Sequence, residues 1–98
     1  MRHIEWIEIS DFEWDEEKRL RTLTERHIDF IDAANALLSP HLEMPSDRNG
    51  ELRVLAVCQA SQRVIAVIYT MRESVCRIIS VRPARKNEQA IYRQVFGG

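Results

Sequence analysis

Between Leu52 and Arg82 the chain carries three apolar runs of strand length, Leu52–Cys58, Arg63–Thr70 and Val75–Arg82. The connections QASQ and MRES are too short for crossover helices, so the three runs predict an antiparallel meander. The middle run, VIAVIY, is apolar on both faces. Such a strand needs cover above and below, and the rest of the chain must supply it.

The flanking segments read as that cover. Residues 2–9 alternate, with Ile4, Trp6 and His3 interleaved with Glu5 and Glu8, and predict a short edge strand. In DFEWDEEKRLRTLTERH, Asp15 is the expected N-cap, with Glu16 and Glu17 at the positive end of the helix. Leu20 and Leu23 form a thin apolar stripe there, with Phe12 and Trp14 anchoring the start. IDFIDAANALLS predicts a second helix, with Phe30, Ala33, Ala34, Leu37 and Leu38 toward the core. HLEMPSDRNG, framed by Pro40 and Pro45, reads as a loop or short extended piece ending in an Asn-Gly turn. A last helix runs from about Ala84 to Val95, with Ile91 and Val95 inward. The order β-α-α-β-β-β-α predicts an α+β fold, with helices packed on an antiparallel sheet, as one domain over residues 1–98.

The 98 residues carry 30% charged side chains, three Gly and three Pro, the composition of an ordered globular protein. No apolar run approaches the roughly 18–20 residues that cross a bilayer, and the glutamates near the N-terminus do not suit a signal peptide. Cys58 and Cys76 lie in apolar runs and read as reduced core residues in the cytoplasm. His3, His27 and His41 are scattered, and no metal or cofactor motif is present in the sequence. The net charge of −1 conceals a polarity. Residues 1–62 hold seven Lys/Arg against thirteen Asp/Glu, whereas residues 63–98 hold seven against two. A basic half of this kind points to a polyanion or to a charged partner, unless the two halves neutralise each other across the fold.

Strand alternation in Val75–Arg82 puts Arg77 with Val75, Ile79 and Val81, and puts Arg82 on the opposite face with Cys76, Ile78 and Ser80. On that reading the two cannot line one groove, so Arg77 is expected beside a carboxylate under a helix, as structure, and Arg82 exposed as function. Pro83 holds Arg82 extended, which makes it the end of the strand. Arg85 and Lys86 follow at the next helix start, and Arg53, Arg72 and Lys18 complete a set suited to phosphate. Arg72 and Arg82, at strand ends, are expected to converge with Lys18 at one sheet edge. Glu88 and Tyr92 are four apart on one helix face.

Five stretches in order carry a resemblance: FEWDEEK (12–18), IDFIDAA (28–34), GELR (50–53), VIYTMR (67–72) and RIISVRPARKNEQAIY (77–92). Together they resemble the BrnT-type toxin family. The resemblance implies a RelE-like fold and a metal-independent endoribonuclease toxin of a type II toxin–antitoxin pair, which cuts RNA by 2′-hydroxyl attack and inhibits translation. It also implies a cognate ribbon-helix-helix, BrnA-like antitoxin, through which the pair reaches operator DNA. Lys18, Arg72, Arg82, Glu51, His27 and Tyr92 are the catalytic candidates on this reading, with Arg53, Arg85 and Lys86 binding substrate. The chain departs from the family pattern where Thr22 stands in place of Asn, and Glu25-Arg26-His27 in place of Lys-His-Gly. A non-catalytic homologue that retains antitoxin binding and co-repression is therefore the alternative.

Overall fold

The computed structural model describes the backbone of residues 2–4 and 9–97, and the side chains of residues 9–97. The predicted meander forms the middle of the sheet as β4 (Val54–Ala60), β5 (Arg63–Arg72) and β6 (Val75–Pro83). Three further strands extend it: β1 (Arg2–Ile4), β2 (Asp11–Glu13) and β3 (His41–Pro45). The sheet order is β1-β3-β4-β5-β6-β2, with every pairing antiparallel except β2 on β6. The α+β class stands, but the expected strand order is corrected by β2 and β3. β2 is three residues long, too short to display a period. β3 ends on Pro45, a residue that reads as loop punctuation but is tolerated at a strand end. Of the expected first strand, residues 5–8 lie outside the described residues.

Three helices complete the fold: α1 (Glu16–Arg26), α2 (Phe30–Leu37) and α3 (Lys86–Phe96). On one sheet face α2 buries Phe30, Ala33 and Leu37 against Ile65, Val67, Cys76 and Ile78. Trp14 meets Phe30 edge-to-face with ring centroids 6.2 Å apart, so the residue before the α1 N-cap is fixed on the same core. On the other face α3 lays Tyr92 and Phe96 over Leu55, Val57, Ala66 and Ile68. β5 thus receives the cover on both sides that its composition demands.

The caps fix where the helices begin. The Asp15 carboxylate accepts from the Glu17 and Lys18 N–H groups at 2.9 and 3.3 Å, and Asp29 accepts from Ile31 N–H at 3.0 Å. Asp29 also receives Arg19 Nε at 2.9 Å, which ties α1 to the start of α2 and holds the Asp29 carboxyl below its ordinary range. Asn49 and Gly50 both have positive φ, 52° and 79°, as an Asn-Gly turn of the primed type requires.

Two helix faces differ from expectation. In α1, Leu20 and Leu23 are exposed and Thr22 is buried. The docking side is the polar stripe Lys18, Thr22, Arg26, at i, i+4 and i+8, and Arg26 Nη1 donates to the Val81 carbonyl at 2.7 Å. That bond satisfies β6 where β2 no longer pairs with it. In α3, Ile91 and Val95 are exposed while Glu88 and Tyr92 are buried. The rotation follows from Glu88, which is drawn inward by an arginine. Leu38, at the α2 C-cap, is also exposed rather than core.

The largest correction is in β6. Ser80 is opposite Ile68 but Ile78 is opposite Tyr69, so Ile79 is an extra residue, a β-bulge. Cys76, Ile78 and Val81 all enter the α2-side core, which strict alternation forbids. Beyond the bulge the parity is inverted, and Arg77 and Arg82 lie on the same face, opposite Thr70 and Ala66.

Candidate nucleic-acid interface

The two β6 arginines are held by different acids. Arg77 Nη1 is 3.6 Å from Glu13 on the neighbouring strand β2, and Arg72 Nη1 is 3.8 Å from the same carboxylate. Arg82 instead donates Nη1 and Nη2 to the two oxygens of Glu88 at 2.8 and 2.9 Å. Glu88 also accepts from the Arg85 N–H at 2.7 Å, so one carboxylate orients Arg82 and caps α3. The hydrogen bonds from Arg82 hold the Glu88 carboxyl below its ordinary range, and Glu88 in return raises Arg82. The expected contrast is corrected: Arg77 does face a carboxylate, on a strand rather than under a helix, while Arg82 is the more firmly held of the two.

Lys18, Ser80 and Arg82 form a common wall between two depressions. The first runs along α1, lined by Arg21, Thr22, Glu25 and Arg26. The second runs toward the Asn49-Gly50 turn and α3, with Arg48, Arg53, Arg85 and Ser46 at its rim and Leu55, Ile68 and Ile79 in its floor. Lys18 titrates below its ordinary value because it is partly buried and because the Arg21 and Arg53 guanidiniums oppose a further positive charge.

The remaining expected residues distribute as follows. Arg53 lines the trough, with Nε 2.8 Å from Glu51. Glu51 is thus half of an ion pair at the trough margin. Lys86 is exposed on the first turn of α3 and lines neither depression. Tyr92 is buried beneath α3, its ring 4.7 Å from Phe96, and burial raises its hydroxyl above the ordinary value. His27 is the left-handed C-cap of α1, φ 59°, and lines neither depression; Arg63 Nη1 donates to its carbonyl at 3.1 Å.

Arg72 does not converge with Arg82. Arg72 is opposite Val75 while Arg82 is opposite Ala66, a separation of about 20 Å along β5 at about 3.3 Å per residue. The expectation failed because the two strand ends lie at opposite ends of one hairpin.

Arg21, Arg26, Arg48 and Ser80 were missed. The first two had a signal, since Lys18, Arg21 and Arg26 recur at helical spacing on one side of α1. Arg48 and Ser80 had none, because the turn and the bulge that aim them are tertiary. Among the described residues no group of three His, Cys, Asp or Glu side chains is arranged to hold a metal ion. Cys58 and Cys76 are free thiols, pushed up to about 12 by burial. No described helix is long and apolar enough to cross a membrane.

One family model matches residues 14–88: "Ribonuclease toxin, BrnT, of type II toxin-antitoxin system". No curated protein and no solved structure matches the chain. The matched span contains α1, the meander and Glu88, and therefore both depressions.

Proposed function

The chain belongs to the BrnT family of ribonuclease toxins of type II toxin–antitoxin systems, and on that premise we propose that the trough around Lys18, Ser80 and Arg82 is where it cuts RNA. A type II toxin implies a protein antitoxin; the reading here adds a ribbon-helix-helix antitoxin, a cytoplasmic setting and an arrest of translation. The observation that carries the proposal is the convergence of Lys18, Arg53, Arg82 and Arg85 on one depression. Their positive charge meets the need of a pentacoordinate phosphorane. The RNA brings its own nucleophile, the 2′-hydroxyl, which attacks the adjacent phosphorus and expels the 5′-oxygen, which leaves as a hydroxyl by taking a proton from solvent water, so the reaction requires no metal. Lys18, with its lowered pKa, takes the proton from that hydroxyl. Arg82, fixed by Glu88, and Arg85 face the phosphate, while Arg53 and Arg48 hold the neighbouring backbone.

The test is incubation of the purified protein with RNA in the presence of a chelator. The expected products carry 2′,3′-cyclic phosphate ends, and Lys18→Ala cuts at least about a hundredfold more slowly, the loss typical of a removed general base. Undiminished cleavage by Lys18→Ala would overturn the assignment. A second reading, antitoxin binding without catalysis, is favoured by the absence of histidine, among the described residues, from the trough lining. It predicts no cleavage and no growth arrest when the chain is expressed alone.

A further inference from the structure

Two depressions, rather than one, open on the Lys18–Ser80–Arg82 wall, and they lead away from it along different elements. Arg21 lies in the α1 arm and Arg48 in the arm beside the Asn49-Gly50 turn. A single nucleotide at the wall would need neither. The lining has a second property: among the described residues no aromatic ring contributes to either arm. Proteins that hold single strands through their bases stack them on aromatic side chains. Here the floor beneath one arm is aliphatic, Leu55, Ile68 and Ile79, and its rim carries Arg48, Arg53 and Arg85, while in the other arm Glu25 stands beside Arg21 and Arg26.

We infer that the trough takes a single strand of RNA across the wall, with nucleotides on both sides of the bound phosphate, and grips it by its phosphates rather than by its bases. This inference rests on the reading of the trough as an RNA site, and it adds strand length and base tolerance to it. Lys18, Arg21, Arg48 and Arg85 have no ion-pair partner among the described residues, unlike Arg53 and Arg82. Four neutralised phosphates set the expected salt dependence: log K against log salt falls with slope about −2.8, each single-strand phosphate contributing about −0.7.

The experiment is a salt titration of binding with octamers of A, of C and of U carrying 2′-O-methyl groups, which cannot be cleaved. The outcome is therefore independent of catalysis: binding as expected, together with no cleavage of the unmodified octamers, would remove the nuclease reading and leave this one standing. The three octamers are expected to bind with similar affinity and the slope given above. Arg21→Ala and Arg48→Ala, both exposed positions, should each weaken binding severalfold and flatten the slope by about 0.7, with the effects adding in the double variant. Circular dichroism of each variant establishes that it is folded. Strong preference for one base, an unaltered slope in either variant, or equal affinity for a glutamate peptide of the same charge would each overturn the inference; the last would point to an acidic protein partner instead.

Discussion

Arg82 and Glu88 face each other through two hydrogen bonds of 2.8 and 2.9 Å, joining the end of β6 to the first turn of α3. The carboxylate is nearly buried, at 8% side-chain exposure, and the guanidinium retains 22%. A pair of this geometry is a fixed part of the fold, and its cationic half still opens on the trough.

Removing one partner leaves the other charge partly buried, so Glu88→Ala should lower unfolding free energy by about 3 kcal/mol, the low end for a broken buried pair. Arg77→Ala should cost less than about 1 kcal/mol, because its contact with Glu13 is long and both groups are well exposed. Urea unfolding of the two variants checks the order; equal losses would mean that the Arg82–Glu88 pair is not structural.

The same pair sets an acid limit. Arg82 lowers the folded-state pKa of Glu88 from 4.5, so the stability it contributes is fully present above that value and is lost as pH falls through the lower, folded value. Melting temperature should therefore decline below about pH 4.5, the ordinary carboxyl range. In Glu88→Gln the decline should be shallower, with Asp29 contributing what remains. Identical acid limbs in both proteins would remove Glu88 from this role.

The bulge makes an unusual deletion tolerable. Without Ile79 the ladder becomes regular, and Ser80, Val81 and Arg82 keep their partners Ile68, Val67 and Ala66. A protein lacking Ile79 should fold cooperatively and still bind RNA oligomers. A protein lacking Val57, a fully buried residue of β4 paired on both sides with no bulge to absorb the loss, should not fold. Thermal melts of the two deletions decide this, and an unfolded Ile79 deletion would refute the register.

Arg72 tests the location of the site. It lies about 20 Å from Arg82 by register, and its ion-pair contact among the described residues is the exposed one to Glu13. Arg72→Ala should match the parent in octamer affinity and in RNA cleavage, whereas Arg53→Ala should lose both in part. A binding defect in Arg72→Ala would move the site toward β2.

Much of this protein was determined by its sequence alone. The meander, the cap at Asp15 and the Asn49-Gly50 turn depend on neighbours within a few residues, where periodicity and side-chain chemistry act directly. Lys18, Arg53, Arg82 and Arg85, grouped by residue type as suited to phosphate, do line one depression, and the family was legible from five short stretches in order. Tertiary structure decided the rest. Alternation counts residues and cannot see an unpaired one, so only the pairing of β6 with β5 reveals that Ile79 inverts the parity and brings Arg82 to the α3 face. Likewise, the rotation of α3 was set by Glu88 meeting Arg82, a contact stronger than the pull of Ile91 and Val95 toward a core. The outward turn of Leu20 and Leu23 has the same kind of cause: Arg26 finds the open Val81 carbonyl, and α1 docks by its polar stripe. In each case a long-range polar contact outweighed a local apolar pattern, and such contacts exist only once the sheet has formed.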